Sequence, residues 1–203
     1  MRDDKMKEWS RDEVSIFHGY SGDVSSFFIN HHMKFSKWLE SYQGNITVFD
    51  VGCCSGFVLN SIGGMVQTYQ GVDLSPLSIE NARRIFVDPR FSFEVFDVED
   101  LSFDMSKINC EICYIDSVLT MLEDPQTFLK NALKNFNVVY LNRTRYDFDT
   151  TEKLENQWAG MQRASTWWQF DKSFFQNLAD ELSMKVDFKT EEVNSIIFTR
   201  SNE

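Results

Sequence analysis

Short apolar runs alternate with amphipathic stretches through the middle of the chain. Val24, Phe27, Phe28, His31, Phe35, Trp38, Leu39 and Tyr42 recur at helical spacing, which predicts a helix over 24–42. Gly44-Asn45 stops it. Ile46–Val51 (ITVFDV) reads as a buried strand, followed by a tight loop, Gly52–Gly56, and a helix from about Phe57 to Met65. Thr68–Val72 is a second strand closing on Asp73. Ser75-Pro76 supplies an N-cap and a proline at the first helical position, so a helix runs from there to about Phe86. Asp88-Pro89 turns the chain into a third strand, Phe91–Phe96, ending at Asp97. Glu111–Ile115 is a fourth strand, ending at Asp116. Asp124-Pro125 caps a helix to about Lys134, and Val138–Leu141 is a fifth strand. Residues 143–170 show no clean period and read as a loose helical region. Asp171–Leu182 reads as a helix, and Met184–Lys189 with Ser195–Thr199 as a terminal hairpin.

Five β-α steps followed by a hairpin predict an α/β fold with a doubly wound parallel sheet. Ligands of such sheets bind outside the carboxyl ends of the strands. An acid stands at three of those ends: Asp73, Asp97 and Asp116. The 203 residues suit a single domain, 1–203. It divides into an N-terminal helical cap (1–45), a ligand-binding half (46–142), a lid (143–170) and a closing helix plus hairpin (171–203). Hydrophobic residues make up 42% and charged residues 25%, which excludes whole-chain disorder. No apolar run approaches the ~18–20 residues of a membrane helix. The opening MRDDKMKEWSRDE lacks an apolar signal core, so a cytoplasmic setting is expected. Lys plus Arg is 20 and Asp plus Glu is 31, a net charge of −11 that repels nucleic acid and anionic membranes.

The first strand-loop-helix reads Phe49-Asp50-Val51-Gly52-Cys53-Cys54-Ser55-Gly56-Phe57. Small residues there let the backbone approach a ligand, and the following helix offers its first N–H groups to an anion. Asp73, about twenty residues on, is placed to accept hydrogen bonds from ribose hydroxyls; its alternative role is to start the helix at Ser75-Pro76. The dinucleotide fingerprint G-x-G-x-x-G falls on Gly52, Cys54 and Phe57, so two of its three positions fail.

Over about residues 46–200 the chain resembles the class I S-adenosylmethionine-dependent methyltransferases. Asp50, Gly52 and Gly56 match the family's acid and Gly-x-Gly-x-Gly, with Cys54 in place of the middle glycine. The ribose-binding acid falls on Asp73, followed by Leu74, in GVDLSPLSIENAR. The adenine-edge acid falls on Asp97, with Val98 supplying the adjacent backbone. The motif at the end of strand four falls on Tyr114-Ile115-Asp116-Ser117-Val118-Leu119. The resemblance implies a Rossmann-like seven-stranded sheet with an antiparallel strand in the C-terminal hairpin. It also implies S-adenosylmethionine as methyl donor, S-adenosylhomocysteine as product, and a donor site including Cys53 and Ser117. No metal is required by in-line transfer, where alignment of the reactants is worth ~7–11 kcal/mol.

The family's amino-methylating branch for adenine or glutamine carries Asn/Asp-Pro-Pro-aromatic after strand four, and the chain has no prolines there. The cytosine-ring branch needs Pro-Cys, which does not occur. A small-molecule acceptor, methylated on oxygen, is the expectation. Tyr20, in HGYSGD, stands where relatives often place an aromatic residue over the donor; its alternative is a surface turn. Arg143, Tyr146, Arg163, Trp167 and Trp168 are candidate acceptor contacts, in a segment whose Arg and Trp content suits a lid over a flat or anionic acceptor. The same Trp residues would equally anchor the segment to the core or form a homodimer contact. His31, mid-face between Phe28 and Phe35, is a candidate general base, although a histidine so placed is more often simply packed and hydrogen-bonded, while His32 falls at the edge of that face. Cys110-x-x-Cys113 lies at a strand start with no second pair, so buried small residues fit better than zinc ligands. Two further readings stay open: an enzyme using the same donor without methyl transfer, and a catalytically silent binding module.

Overall fold

The computed structural model describes residues 24–100, 103–157, 164–189 and 194–200, with the side chains of 24–31, 155–157 and 164–166 excepted. Tyr20, Trp158 and Arg163 fall outside the described residues, as does the side chain of His31. Helix α1 (Val24–Ser41) follows the expected spacing, with His32, Phe35 and Leu39 buried and Met33, Lys37 and Glu40 exposed. His32 thus sits inside the apolar face and not at its edge, at 6% exposure.

The remaining elements are β1 (Thr47–Val51), α2 (Leu59–Ile62), β2 (Thr68–Asp73), α3 (Pro76–Ile85), β3 (Phe91–Val95), β4 (Ile112–Asp116), α4 (Pro125–Asn135), β5 (Val138–Asn142), β6 (Glu152–Gln157), β7 (Ala164–Gln169), α5 (Lys172–Glu181), β8 (Met184–Lys189) and β9 (Ser195–Arg200). The seven-stranded sheet runs β3-β2-β1-β4-β5-β9-β8, and β6 with β7 forms a separate two-stranded sheet. β9 is antiparallel to both β5 and β8, as the Rossmann-like expectation required. No described helix is long and apolar enough to cross a membrane.

Four expectations need correction. The helix after the glycine loop is only Leu59–Ile62, because Gly63-Gly64 follow and break it. The third strand ends at Val95, so Asp97 lies two residues beyond it. The fourth strand is Ile112–Asp116, one residue later than read, which makes Asp116 its last residue. Within 143–170 the loose helical region is an antiparallel ribbon, pairing Leu154 with Trp167 and Lys153 with Trp168. One of its strands reads EKLENQ, which offers a single apolar residue and no alternation to read.

The chain divides into two compact units. The first holds Met1–Val98 with Asn109–Glu111. In it β1 pairs parallel to β2 from Thr47↔Thr68 to Val51↔Val72, and β2 parallel to β3 from Tyr69↔Phe91 to Asp73↔Val95. Its core includes Phe35, Leu39, Phe49, Ile62, Tyr69 and Ile79, all at most 1% exposed. Each such side chain contributes about 1.5–3 kcal/mol by leaving water. Glu111 latches α1 to this unit: its carboxylate accepts from the Tyr42 hydroxyl at 2.9 Å and from the Asn45 backbone and side-chain N–H at 3.1 and 2.8 Å.

Burial and, secondarily, the Glu111 carboxylate push the Tyr42 hydroxyl up to about 12. The unfolded chain therefore loses this proton first, and stability falls as pH rises from about 10, the unperturbed tyrosine value, towards 12. Glu111→Ala is expected to lower the unfolding free energy by about 1–2 kcal/mol, discounted for exposure. It should also flatten the stability loss above pH 10. Urea unfolding at neutral and at alkaline pH measures both, and equal stability of variant and wild type at neutral pH would remove the latch.

The second unit holds Glu99–Ile108 with Ile112–Glu203. Here β4 pairs parallel to β5 from Ile112↔Val138 to Asp116↔Asn142. All five residues of β5 are buried, as expected of a strand covered on both faces. Phe175 packs on Phe170 and Phe198, with ring centroids 5.3 and 6.4 Å apart.

Candidate active site

In the first unit the loop after β1 is drawn against β2. The N–H groups of Gly52 and Cys53 both donate to the Val72 carbonyl, at 2.8 and 3.0 Å. Gly52 (φ 72) and Gly56 (φ 75) are left-handed, the conformation glycine adopts without steric cost. Cys54, where the family has its middle glycine, is also left-handed at φ 51, a strain of order 1–3 kcal/mol for a residue with a Cβ. Its N–H donates to Asp73 Oδ2 at 2.9 Å, and its Sγ lies 3.8 Å from Ser78 Oγ on α3. Asp50 is buried at 3% exposure and accepts the Tyr69 hydroxyl at 2.5 Å.

Asp73 does two structural jobs at the end of β2. Oδ2 takes the Cys54 N–H, and Oδ1 takes the Ser75 N–H at 2.8 Å, setting up α3, whose N-cap Ser75 in turn accepts from the Ser78 N–H. Burial pushes the Asp73 carboxyl above its usual range, opposed by those two amides. An ionised carboxylate offers about four acceptor positions. After the two amides, each Asp73 oxygen retains one for a ligand hydroxyl. The donor set therefore fits a vicinal diol such as a ribose. Leu74, Asp97 and Val98 are all partly exposed beyond the ends of their strands.

The loop thiols are protonated at neutral pH. Burial, then the Asp50 and Asp73 charges, push Cys53 well up, and burial with Asp73 raises Cys54. Burial lifts Cys110 to about 11 from 9.0. At pH 8 that leaves about one hundredth of the usual thiolate at Cys110, and thiolate is the reactive form. Native protein at pH 8 is expected to take up iodoacetamide about a hundredfold more slowly at Cys110 than free cysteine does. Cys53 and Cys54 should be slow as well. Peptide mass spectrometry after timed quenching measures this, and fast labelling of Cys54 would contradict the buried, acid-flanked thiol. Among the described residues no three His, Cys, Asp or Glu side chains group as a metal site.

In the second unit Asp116 closes β4 with its side chain 7% exposed and receives the Arg143 Nε at 2.5 Å. Asp116 Oδ2 also accepts the Tyr114 hydroxyl at 3.3 Å; that hydroxyl accepts from Asn142 Nδ2 at 3.0 Å, and Asn142 Oδ1 accepts from Ser195 Oγ at 3.3 Å. The residues following the paired strand ends, Ser117 (φ 59) and Arg143 (φ 51), are both left-handed. A 3₁₀ turn, Leu119–Met121, follows, and the ribbon is fastened to the chain just beyond it. Trp168 Nε1 donates to the Leu122 carbonyl at 3.0 Å, and Lys153 pairs with Glu123 at 2.7 Å. Trp167, on the opposite face of its strand, meets Phe148 edge-on at 6.5 Å. Tyr146 is buried against Phe188, ring centroids 4.9 Å apart. Among the described residues the Tyr146 hydroxyl and the Trp167 indole N–H are buried without a hydrogen-bond partner.

Residues 49–135 match the family model for a methyltransferase domain. Over this stretch the chain is similar to methyltransferase domains. The chain is 29% identical over 189 residues to a probable non-canonical nonribosomal peptide synthetase, CymA, from Salinispora arenicola; the match covers 75% of this chain and 2% of that protein. It superposes on S-adenosylmethionine-bound CalS10, an amino pentose methyltransferase from Micromonospora echinaspora, with a TM-score of 0.66, 10% identity and coverage of 93% and 96% of the two chains. It superposes on magnesium protoporphyrin IX methyltransferase from Synechocystis PCC 6803 with a TM-score of 0.67, 11% identity and coverage of 98% and 97%. These two share its fold.

Sequence reading of the methyltransferase missed Gly71. A Cβ there would lie 2.7 Å from Cys53 Sγ and 2.9 Å from Cys53 Cβ. The signal was present, since an isolated glycine inside a strand marks close approach by another part of the chain. Tyr69, Ser78, Tyr114 and Asn142 were missed as well. Their roles are hydrogen bonds to residues 19 to 53 positions away or across helix faces, which spacing does not reveal.

Proposed function

We propose that the protein is an S-adenosylmethionine-dependent methyltransferase that acts on a small-molecule acceptor and methylates it on oxygen. One observation carries this reading: Ser117 is left-handed at φ 59. The amino-methylating branch places its first proline at this position, and a proline ring locks φ near −65°. A second proline at 118 would push residue 117 into the extended region. The backbone after β4 therefore runs differently from that of the branch acting on adenine or glutamine nitrogen. The net charge of −11 further disfavours nucleic acid as acceptor.

When bound, the donor supplies a methyl group on a sulfonium, open to in-line attack. In this proposal Asp73 takes the ribose hydroxyls on the acceptor positions its two amide bonds leave free. Gly52, Cys53, Cys54 and Gly56 let the loop backbone approach the donor, and Asp50, buried beneath them, holds the loop's base through Tyr69. Leu74, Asp97 and Val98 face the adenine. A hydroxyl acceptor must lose a proton and a carboxylate need not, so the demand for a base depends on the acceptor.

A second reading places the methyl group on the amine of an amino-acid-derived acceptor; the match to a peptide synthetase favours it. Incubation with donor carrying a deuterated methyl group, over a panel of hydroxy acids, phenols, sugars and amino acids, separates the two by product mass and fragmentation. Label on oxygen is the expected result. Label confined to nitrogen overturns the oxygen assignment, and donor binding without turnover on any acceptor returns the silent-module reading.

A further inference from the structure

The segment after β5 holds more hydrogen-bond donors than the described residues satisfy. Arg143 Nε is bonded to Asp116 Oδ1 at 2.5 Å, and among the described residues Arg143 has no other hydrogen bond or ion pair. Its Nη1 and Nη2, with four N–H groups, meet no acceptor among the described residues, although the side chain is only 30% exposed. In the same segment the Tyr146 hydroxyl and the Trp167 indole N–H are buried without partners among the described residues. All three groups can donate.

Arg143 is also positioned at some cost. It is left-handed at φ 51, a conformation that a residue with a Cβ keeps only where the surroundings impose it. What imposes it is a chain of polar contacts. Tyr114 donates to Asp116 Oδ2, Asn142 Nδ2 donates to Tyr114, and Ser195 holds the other end of Asn142. Asp116 is thereby fixed, and its bond to Nε fixes the guanidinium plane. A guanidinium oriented at Nε and vacant at both Nη atoms presents the paired donors that match the two oxygens of a carboxylate.

The geometry points to an acceptor that carries a carboxylate, held by Nη1 and Nη2 of Arg143, with Asp116 as the positioning residue. The carboxylate anchors the molecule, and the methyl group goes to another atom of it. This inference rests on the methyl-transfer reading and narrows its substrate class. On a chain of net charge −11 long-range attraction of an anion is absent, so recognition must be local.

The test uses the full chain saturated with S-adenosylhomocysteine. Benzoate, 4-hydroxybenzoate and N-acetylglycine are titrated against their primary amides by ligand-observed NMR. The acids are expected to bind at least tenfold more tightly than the amides. Arg143→Gln should erase that gap while leaving S-adenosylhomocysteine affinity within about threefold. Arg143→Lys keeps a cation beside Asp116 but lacks the fork, and should reduce the gap if the Gln variant melts too low to assay. Acids and amides binding alike, or a gap that survives in the variants, overturns the inference. Wild type that binds S-adenosylhomocysteine but none of the acids also overturns it and leaves the methyl-transfer reading standing. No S-adenosylhomocysteine binding overturns both.

Discussion

Asp73→Ala is expected to weaken S-adenosylhomocysteine binding by a hundredfold or more. Hydrogen bonds to a charged group are worth about 1.5–3 kcal/mol each, and the proposed site loses two of them to the ribose. The same substitution frees the Cys54 and Ser75 N–H groups that Asp73 now accepts, so the loop and the start of α3 loosen together. Calorimetric titration measures the affinity, and a melting curve without ligand shows whether the variant folds. Asp73→Asn is the companion variant. Its amide keeps one accepting oxygen and turns an NH₂ towards the other backbone N–H, so it should fall between alanine and wild type. A folded alanine variant with unchanged affinity would confine Asp73 to its structural role. A pH dependence follows from the same carboxyl. Its pKa is raised in the free protein, chiefly by burial, and hydroxyls donating to the carboxylate would lower it in the complex. Affinity is therefore expected to fall with falling pH as Asp73 protonates, at a higher pH than for an ordinary aspartate.

Gly71→Ala is expected to destabilise the fold by about 3 kcal/mol, the upper end of the range for an overpacked core. For a chain of this size that corresponds to a fall in Tm of roughly 5–10 °C. The added methyl would sit 2.7 Å from Cys53 Sγ and 3.0 Å from the Tyr69 ring, and β2 has a neighbour on each side. Neither Cys53 nor Tyr69 can retreat easily: Cys53 is 5% exposed, and Tyr69 is bonded to Asp50. Thermal denaturation of Gly71→Ala, Cys53→Ala and the double variant forms a cycle. The double variant should recover part of the loss, because removing Sγ clears the closest contact; strictly additive effects would mean that the clash lies elsewhere.

Much of the fold is legible wherever one physical signal dominates locally. ITVFDV and VVYLN are apolar runs too short for helices, and both are buried strands. Ser75-Pro76 and Asp124-Pro125 combine a capping side chain with a residue already fixed in helical φ, and both start helices with the cap accepting an N–H as expected. Reading fails where pairing, not pattern, makes the element. Lys153 and Glu155 give no strand signal, yet their neighbour Leu154 lies opposite Trp167, and the ribbon is held by Trp168 reaching Leu122. At the candidate site the acids at the ends of β2 and β4 are legible as types at positions. Asp116 and Arg143 are 27 residues apart, and only the pairing of Asp116 with Asn142 brings them together. No spacing rule contains that register.

The placing of β9 between β5 and β8 has a consequence for how the chain is made. A ribosome releases β8 before β9, so for a time the nascent chain holds a buried-type strand, β5, with an open flank and β8 free to occupy it. If β8 docked there, it would have to leave before the later strand could insert. Synthesis therefore creates an interval in which a strand buried at all five positions is exposed and a wrong neighbour is available, a setting for slow maturation or self-association. The yield of native enzyme should depend on translation speed and on chaperones that shield open strand flanks during that interval.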